Sequence, residues 1–463
     1  MRLATLLAPD IKQMLVEDPE QVRELLEEIH PEDLADIVAD LDDEEAAKLL
    51  SRMPAEGAAP IFERLDEQEQ ENIAEQMQPE SVALIASEMQ PDDRADFFSI
   101  LPPGVAEDAL EALEKVDPEA AEDVRELAKY PETSAGHLMT TAYVSTSANV
   151  TIRQAFDAIR KHAEKNDTPV YNVHALTQEG RLIGLISLRE LIIAAKDGES
   201  QRITEFLRTN IISVTPEMDQ EDVAKRMAKY DINAMPVVDA TGVLLGIITI
   251  DDIVDVLTAE QTEDVQKIGG IAPLDVPYFQ TSFFAFIKKR GVWLLVLFFG
   301  EFFTQVAMRR YDHVFAAITG ASHYVPLLIS AGGNSGSQSS TLVIRGLAVG
   351  DLKPGDWWRV LWREAGMGLV LGLGLGIIGF GRVMTYPERD LRFAFTVGTA
   401  LVGIVFAGCT VGSMLPILLK RLRVDPATSS TPFIASLVDV TGILIFVFSA
   451  QYIMHEVVSA YRP

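Results

Sequence analysis

The sequence predicts a multidomain protein: an N-terminal all-α helical solenoid, then a tandem α/β pair, then a C-terminal α-helical transmembrane domain with five spans. Three observations predict this fold class: a short regular repeat near the N-terminus, a duplicated β-rich motif in the middle, and a series of apolar segments after residue 290. Repeated short elements stack to bury one face. The duplicated motif alternates strands with helices, and the apolar segments are long enough to cross a bilayer.

Charge is distributed very unevenly along the chain. The whole sequence carries a formal net charge of −29, yet the residues from Thr281 onward contain 16 Lys and Arg against 10 Asp and Glu, so residues 1–280 carry −35. An acidic surface of this size repels nucleic acid and attracts cations. We therefore expect no nucleic-acid partner, with water around the first part and the lipid bilayer around the second.

The first part repeats at a constant interval between positions 30 and 113. Each unit has room for about eight helical residues and a tight turn, which is typical of a small solenoid of stacked helices. One long amphipathic helix is excluded because prolines recur at the repeat positions. The repeat positions are Pro31, Asp43, Ala55, Glu67, Pro79, Pro91 and Pro103. Apolar residues in step with them are Ile37, Leu49, Ile61, Ile73, Ile85 and Phe97.

The middle of the chain contains two matching stretches, GRLIGLISLRELI at 180–192 and GVLLGIITIDDIV at 242–254, which align without a gap. Each predicts a strand, a turn and a strand, followed by a helix that opens with a capping box. The predicted capping pairs are Ser187 with Glu190 and Thr249 with Asp252. A helix and a proline-containing strand precede each copy. The tandem copies resemble a pair of cystathionine beta-synthase (CBS) domains.

The resemblance to CBS pairs implies a dimerising module that often binds adenine nucleotides. In that family a Ser/Thr-x-x-Asp/Glu pair can hold the ribose. The implied ligand is ATP or another adenine nucleotide, and the implied contacts are Ser187, Glu190, Thr249 and Asp252. The residues alone favour plain helix caps, and that alternative stays open.

The last part contains five apolar segments of about 20 residues, which is enough to span a bilayer. The candidate spans are residues 292–309, 322–347, 364–384, 393–419 and 430–454. An odd number of spans puts the two termini on opposite sides. Ten Lys and Arg would lie on the side of the N-terminal domains and six on the other side. The positive-inside rule then places the N-terminal domains in the cytoplasm and the C-terminus outside.

These features predict a multi-pass protein of the cell (inner) membrane. Its domains are predicted as an acidic helical repeat at 1–135, tandem CBS domains at 136–264, a connecting helix at 265–290 and a five-helix transmembrane domain at 291–463. The connecting segment ends in Lys288, Lys289 and Arg290.

Span five contains an acidic residue, Asp439, among apolar and small residues. A carboxylate near mid-membrane is costly unless it faces water or a partner, so it marks a functional site by default. At helical spacing it shares one face with small and polar residues, which suits a cation path. The residues of that face are Thr428, Thr431, Ala435, Asp439 and Gly442. The alternative is a carboxylate that is hydrogen-bonded to a neighbouring helix.

Span two contains the run AGGNSGSQSS, in which Gly332, Gly333 and Gly336 lower the helix propensity. Backbone carbonyls freed by a break there would be unsatisfied in lipid, so we expect them to line a wet cavity or to be buried in protein. Close packing of helices through small residues is the alternative, and both can hold.

These two runs, together with the acidic helical part, the CBS pair and five spans in this order, resemble the MgtE family of magnesium transporters over nearly the whole chain. In that family a Gly-Gly-Asn-x-Gly-Asn-Gln run and an Asp-Pro-Ala…Asn-Pro…Asp pattern form a pore at the two-fold axis of a homodimer. The first run matches Gly332, Gly333, Asn334, Gly336, Ser337 and Gln338, and the second matches Asp425, Pro426, Ala427, Thr431, Pro432, Ala435 and Asp439. Ser337 and Thr431 stand where the family usually has asparagine.

The resemblance implies a homodimeric channel or transporter that moves hydrated Mg²⁺ into the cytoplasm. Mg²⁺ sheds its water reluctantly and is commonly held by few carboxylates. Two Asp439 side chains, one from each subunit, would hold the hydrated ion. The implied pore contacts are Asp439, Ala435, Thr431, Gly333, Asn334 and Ser337. Glu301 and Glu364 are further intramembrane acids, for which an interhelical role is an equal alternative.

An acidic stretch, DDIVDVLTAEQTEDVQKIGG, follows the second CBS copy. Like charges at this spacing destabilise a helix unless cations neutralise them, although charge alone favours an ordinary solvated face. The resemblance implies regulatory Mg²⁺ sites here, on the CBS surface and on the N-domain. The implied residues are Asp252, Asp255, Glu260, Glu263, Asp264, Asp219, Glu221, Asp231, Asp92 and Asp96. Mg²⁺ bound there would compact the acidic domains and close the pore.

Two other functions remain open at this stage. One is a secondary transporter that exchanges a divalent cation for Na⁺ or H⁺, with a broken second span as its site. The other is a membrane-tethered nucleotide sensor, which would not need Asp439 or the run 332–340. We expect no enzyme, because the sequence contains no nucleophile with a base, no His/Cys metal set and no ATPase loop.

Overall fold

The computed structural model describes residues 29–164, 168–196, 198–274, 278–279, 281–386 and 390–461. They form two compact units, the first ending at Thr258 and the second beginning at Ala259. The first unit contains the helical repeat and the two α/β copies, and the second contains the long apolar helices.

The described part of the repeat consists of short helices. They are α1 (Pro31–Ala39), α2 (Asp43–Arg52), α3 (Ala55–Phe62), α4 (Glu67–Gln76), α5 (Pro79–Glu88), α6 (Pro91–Ile100), α7 (Pro103–Val116) and α8 (Pro118–Leu127). From α1 to α7 each helix begins at the residue that the repeat predicts, so the helix starts are evenly spaced. The predicted helical solenoid is confirmed.

The solenoid is held together by its buried register and by helix caps. Asp66 and Glu69 form a complete capping box at the start of α4, because each side chain accepts the other residue's backbone N–H. The six predicted apolar positions from Ile37 to Phe97 are each at most 4% exposed and belong to one core. Burial of each such side chain contributes roughly 1.5–3 kcal/mol. The packing therefore stabilises helices that are too short to be stable alone.

The α/β pair contains two hairpins. The first sheet has the order β1 (Ser145–Ser147), β2 (Asn172–Leu176), β3 (Leu182–Ser187), and the second pairs β4 (Ala234–Val238) with β5 (Leu244–Thr249). β1 is parallel to β2, and both hairpins are antiparallel. The helices are α9 (Ile152–Ala163), α10 (Leu188–Ala195), α11 (Gln220–Tyr230) and α12 (Ile250–Ile268). Gly180 and Gly242 turn the two hairpins at φ 78° and 85°, a conformation that favours glycine. The predicted order of strand, turn, strand and helix is confirmed in both copies.

The second unit consists of helices. They are α13 (Phe283–Arg310), α14 (Asp312–Ala317), α15 (Ala321–Ala348), α16 (Trp357–Met384), α17 (Leu391–Arg421), α18 (Thr431–Ile453) and α19 (His455–Ala460). Among the described residues, four helical stretches are long and apolar enough to cross a membrane: Phe283–Arg310, Pro354–Met384, Leu391–Arg421 and Thr431–Ile453. The predicted second span lies in α15, which is 28 residues long but rich in Gly and Ser at its middle. A fifth span at α15 stays a prediction.

Residues 265–290 were predicted as one connecting helix, but among the described residues 265–268 end α12 and 283–290 begin α13. The first part ends α12, where Gly270 adopts φ 72° and the N–H of Ile271 donates to the carbonyl of Gln266, as in a Schellman cap. Helix α13 then begins at Phe283, with the Ser282 side chain accepting the N–H of Ala285. The basic end of the segment is therefore the first turns of α13.

The glycine-rich run does not break α15, which is a continuous helix. The predicted break, with its freed carbonyls, is wrong, and the alternative of close packing is correct. A methyl group added at Gly408 of α17 would lie 2.6 Å from the carbonyl oxygen of Gly332, and one added at Gly336 would lie 3.1 Å from that of Gly408. Glycine on both helices lets the two backbones touch, so tertiary packing outweighs the low helix propensity of these residues.

Candidate ion pathway and regulatory sites

The orientation of α18 is set by apolar side chains that pack against α15 and α17. Ser430 caps the helix by accepting the N–H of Phe433 at 3.4 Å. Ile434 and Val438, which lie one turn apart, are almost fully buried. Asp439 follows Val438 and is therefore turned to the edge of this packed face, where it is half-buried.

Three of the predicted pore residues meet at this edge. A methyl group added at Gly333 of α15 would lie 3.4 Å from Cβ of Ala435 and 3.9 Å from Oδ1 of Asp439. The carboxylate thus faces a helix that has no side chain at the point of closest approach. We call the meeting point of Gly333, Ala435 and Asp439 the groove; the glycine lies far from the other two along the chain.

Two further predicted residues continue the groove. The hydroxyl of Ser337 donates to the backbone carbonyl of Thr431 at 3.3 Å. Ser337 lies one turn after Gly333, and Thr431 lies one turn before Ala435, so α15 and α18 run antiparallel here. The two residues that differ from the family's asparagines are therefore in contact with each other.

The polar face of α15 continues beyond the groove. Asn334 and Gln338 lie on it, and the amide of Asn334, which is exposed in the single chain, donates to the Ser330 hydroxyl at 3.4 Å. Gly442, which was predicted on the pore face of α18, is instead buried and packs against Ile404 of α17. An α-helix has about 3.6 residues per turn, so residues spaced by three and four do not stay on one line along the helix. By Gly442 the predicted face has turned away from the groove.

Glu301 of α13 also reaches this part of α18. The hydroxyl of Ser436 donates to Oε1 of Glu301 at 2.8 Å, and the Glu301 charge is close enough to act on Asp439. The sequence did not indicate Ser436, because nothing in it shows that this serine would lie next to an acid of another helix. Glu364 takes the interhelical role: it is buried in α16 and accepts the Ser339 hydroxyl at 2.6 Å.

The first unit contains a cluster of carboxyl groups, which we call the acidic cluster and define as Glu63, Asp92, Asp93 and Asp252. Asp92 and Asp93 begin α6, and Asp252 lies in the first turn of α12. Asp92 is 8% exposed, and its Oδ1 is buried without a hydrogen-bond partner among the described residues. Two of the four residues, Glu63 and Asp93, were not predicted; only their contacts across the fold reveal them.

The electrostatics of the acidic cluster favour protons or cations. Burial, with the charges of Glu63 and Asp252, raises the pKa of Asp93 to about 8. Burial, with the charges of Asp93 and Asp252, raises the pKa of Asp92 as well. Burial raises the pKa of Asp252 to about 6, against the hydrogen bond from the Thr249 hydroxyl at 2.6 Å. Crowded, desolvated carboxylates of this kind are stabilised when a cation neutralises them.

No group of three or more His, Cys, Asp or Glu side chains is arranged to hold a metal ion in the part of the chain that the structure describes. The acidic cluster therefore offers concentrated charge and an oxygen without a partner, and carboxylates would have to move closer to ligate an ion. Oxygen ligands of this type fit Mg²⁺.

The other predicted regulatory residues have diverse surroundings. Asp96 accepts from Nε2 of His137 at 2.7 Å, and the exposed Asp255 acts on Asp252 through its charge. Asp219 caps α11, Glu221 pairs with Lys225 at 2.6 Å, and Asp231 ends α11 at φ 52°. Glu260, Glu263 and Asp264 lie in the last turns of α12, within the second unit.

The end of α12 is attached to the segment that precedes α18. The ammonium of Lys267 contacts the carboxylate of Glu263 and lies 2.7 Å from Oδ2 of Asp425. The indole N–H of Trp293 in α13 donates to the Ser430 hydroxyl at 3.1 Å, and Gly270 lies against the same indole. Lys267 was not predicted as a site residue.

A cleft of about 1090 Å³ lies between the two CBS copies. Its walls come from both copies and include Tyr171, Ser187, Glu190, Arg208, Asn210, Asp231 and Asn233. Ser187 and Glu190 form the predicted capping box, and the guanidinium of Arg208 donates to Oε1 of Glu190 at 2.5 and 2.8 Å. The cleft thus combines a hydroxyl, amides and a cation with apolar walls.

The two pairs of residues that were predicted to bind a nucleotide lie in different surroundings. The first pair, Ser187 and Glu190, lines the cleft, whereas the second pair lies outside its walls. Thr249 is buried and bonds Asp252, which belongs to the acidic cluster. The same sequence motif therefore serves two different sites.

The fold and these sites define an integral membrane transport protein for divalent cations with a CBS pair in its cytosolic part. Family models match along the chain: MgtE, "Divalent cation transporter", at 325–449; "MgtE intracellular N domain" at 7–59 and 29–133; and "CBS domain" at 135–197 and 203–259. The magnesium transporter MgtE of Thermus thermophilus is 40% identical over 362 residues, which are 76% of this chain and 79% of that protein. The magnesium transporter MgtE of Enterococcus faecalis is 34% identical over 73% of this chain and 72% of that protein.

A solved structure, the soluble part of a magnesium transporter, is 31% identical and covers 56% of this chain and 99% of that chain, with a TM-score of 0.51. Another, the cytosolic domain of the Mg²⁺ channel MgtE in complex with ATP, is 34% identical and covers 54% of this chain and 99% of that chain, with a TM-score of 0.45. The chain belongs to the MgtE family of magnesium transporters.

Proposed function

We propose that hydrated Mg²⁺ crosses the membrane along the groove of Gly333, Ala435 and Asp439, and that the acidic cluster senses cytosolic Mg²⁺ and closes this path. One observation carries the proposal: the carboxylate of Asp439 lies at the contact of α18 with α15 and faces a glycine backbone. An acid in this position costs free energy unless it faces water or binds an ion.

The small residues of the groove suit this ion. Mg²⁺ exchanges its waters reluctantly, so a path for it needs room for a hydrated ion and ligands that act through water. Gly333 and Ala435 place no bulky side chain beside Asp439. Ser337 and Thr431 add oxygen atoms one turn further along, in place of the family's asparagine amides.

A homodimer would complete the path. Asn334 and Gln338 place amides on α15, which also contacts α18. Polar groups in a membrane are stable when they face protein or water. A second copy placed on this face would bring a second Asp439 towards the first. Two carboxylates across a two-fold axis would then share one hydrated divalent ion.

Gating follows from the acidic cluster and from α12. Mg²⁺ bridging Asp92, Asp93 and Asp252 would relieve their repulsion and favour a compact state of the cytosolic part. A ligand shifts such an equilibrium only if it binds one state more tightly, and the burial that raises the pKa of Asp92 and Asp93 supports tighter cation binding by the compact state. Helix α12 carries Asp252 at one end and Lys267 at the other, so it can transmit the change to the segment before α18.

Two further features belong to the proposal. ATP or another adenine nucleotide would bind in the CBS cleft, with Ser187 near the ribose and Arg208 near the phosphates. The chain would lie in the cell (inner) membrane with its C-terminus outside, in agreement with the distribution of Lys and Arg.

The coupled-transporter alternative is less well supported than a channel. It required an interrupted second span as the ion site, and α15 is unbroken. A Na⁺ or H⁺ gradient should therefore have no effect on Mg²⁺ flux at a fixed membrane potential.

Uptake of Mg²⁺ into liposomes by the purified full chain tests the pathway. The change Asp439→Asn should reduce the flux by about tenfold or more, equivalent to roughly 1.4 kcal/mol of lost ion stabilisation. The matched control is Asp312→Asn, which removes an acid from the first turn of α14 and should leave the flux unchanged. Equal flux in the wild type and Asp439→Asn would refute the proposed path.

A further inference from the structure

The structure contains a second candidate site, a groove along the apolar helix α17. It has a volume of about 370 Å³ and is lined by Trp357, Val411, Met414, Leu415, Ile417, Leu418 and Arg421. All lining residues except Arg421 are apolar. The groove thus has one charged end, where α16 begins and α17 ends.

Arg421 is held in place at this end. Its Nε and Nη2 donate to the carbonyl of Pro354 at 3.2 and 2.9 Å, and its guanidinium lies over the Trp357 ring at 5.5 Å. No salt bridge joins it to a carboxylate in the part of the chain that the structure describes. A pre-positioned guanidinium without a counter-charge is a good partner for a phosphate group.

The surrounding segments carry excess positive charge. Residues 351–363 and 420–425 contain six Lys and Arg against three Asp. One of those acids, Asp425, is already paired with Lys267, and another, Asp356, lies 3.8 Å from Arg359. The remaining charge complements an anion.

We expect the groove at the cytosolic surface of the membrane, the side on which the distribution of Lys and Arg places these segments. Lys267 of α12, the helix that leads from the CBS copies, contacts Asp425, which follows Arg421 closely in the chain. Trp357, Trp358 and Trp362 follow one another in ring contact at the start of α16, and tryptophan is enriched at membrane–water interfaces. An apolar groove that ends in a cation at this depth matches an acyl chain with an anionic headgroup.

We propose that this groove binds an anionic phospholipid of the cytoplasmic leaflet, with an acyl chain along Val411, Leu415 and Leu418 and the phosphate at Arg421. Basic pockets between membrane helices on this side are known to select anionic headgroups. The site is separate from the ion path: its lining residues come from α16 and α17, and none belongs to the groove at Asp439.

Native mass spectrometry of the full chain, with phosphatidylglycerol and phosphatidylcholine as the probes, tests this site. The wild type should retain phosphatidylglycerol in preference to phosphatidylcholine. The change Arg421→Gln should reduce that preference about fivefold, as expected for the loss of one cation at an anionic membrane surface. Arg421→Lys should keep most of it. Arg382→Gln is the matched control, because Arg382 lies over Tyr386 at 4.8 Å near the opposite end of α16, and it should change nothing.

A substitution that fills the groove with a larger side chain provides an independent test. Leu415→Trp keeps Arg421 and should displace the bound lipid without altering the melting temperature of the protein. Equal retention of the two lipids by the wild type would overturn the proposal, as would equal effects of Arg421→Gln and Arg382→Gln. If Arg421→Lys loses as much preference as Arg421→Gln, the role of Arg421 is structural and the proposal fails. If Leu415→Trp dissociates the oligomer, the groove is a protein interface and the proposal is equally overturned.

Discussion

The side-chain ammonium of Lys267 lies 2.7 Å from Oδ2 of Asp425 and also contacts Glu263. Although partial burial opposes it, the two carboxylates raise the pKa of Lys267, so this cation stays charged at neutral pH. The contact joins the last turn of α12 to the turn that precedes α18. In the proposed gating, it is the place where a movement of α12 would reach the helix that carries Asp439.

Removal of this cation should weaken gating. We expect Lys267→Gln to raise the internal Mg²⁺ concentration that half-inhibits flux by up to about fivefold, because a partly exposed ion pair contributes roughly 0.2–1 kcal/mol. Flux into liposomes at graded internal Mg²⁺ measures this. Lys115→Gln removes an exposed pair with Glu111 on α7 and should have no effect; an unchanged curve for Lys267→Gln would show that this link does not transmit the signal.

Neutralising acids of the regulatory set should have a larger effect on the same curve. The triple change Asp252→Asn, Asp255→Asn and Glu263→Gln should leave conduction much less inhibited by internal Mg²⁺, because fewer carboxylates remain to bind it. The matched control neutralises three exposed acids of α7, Glu107, Asp108 and Glu111. Inhibition that persists unchanged in the triple variant contradicts the gating scheme.

The acidic cluster should make stability depend on pH. The pKa of Asp93 is about 8, above the ordinary aspartate value of 3.8, so the folded state binds a proton that the unfolded state has released. The stabilisation is complete below the ordinary pKa and is lost as the pH rises through about 8.

Thermal unfolding of the full chain without Mg²⁺ checks this prediction. Asp93→Asn should raise the melting temperature relative to the wild type, increasingly so between about pH 5 and about pH 9. Added Mg²⁺ should shrink this difference, because the ion replaces the proton. Asp108→Asn, an exposed acid on α7, should show no such trend. A difference that is independent of pH would mean that Asp93 titrates normally.

Alanine substitutions at two glycines, one in α17 and one in α15, should have different effects. Gly408→Ala would push a methyl group against the Gly332 carbonyl at 2.6 Å and should lower the melting temperature strongly. Gly333→Ala meets only an ordinary contact at 3.4 Å, so the protein should fold, but the methyl group enters the groove beside Asp439 and should reduce the flux. Gly374→Ala is the control, since nothing lies within 4 Å of its added methyl group. Normal flux in a folded Gly333→Ala variant would place the ion path elsewhere.

The hydroxyls of Ser187 and Thr249 occupy matching positions in the two CBS copies, and they should contribute differently to nucleotide binding. Ser187→Ala should weaken ATP binding about fivefold, the value of one ordinary hydrogen bond, because Ser187 lines the cleft. Thr249→Ala should leave it unchanged, because Thr249 lies outside the walls of the cleft. Calorimetric titration of the full chain with ATP measures both; an equal loss in the two variants would contradict this assignment.

Much of the local architecture could be predicted because its signals are local. The spacing of Pro31, Pro79 and Pro91 marks helix starts directly, since proline is favoured in the first turn and disfavoured within a helix. The gapless match of 180–192 with 242–254 located both hairpins and both capping pairs. In α15, by contrast, local propensity predicted a break that does not occur, because Gly332 and Gly336 are used for contacts that lie outside any sequence window.

The amino-acid sequence by itself determined the order of the domains, the helix starts of the solenoid and the presence of a carboxylate in the last membrane helix, because periodicity, capping and hydropathy act between neighbouring residues. Only the tertiary structure decided which groups meet: Asp439 with Gly333, Lys267 with Asp425, and Asp93 with Glu63 and Asp252. Burial and electrostatic interaction depend on distance in space, and residues far apart in the chain acquire that proximity only when the helices pack.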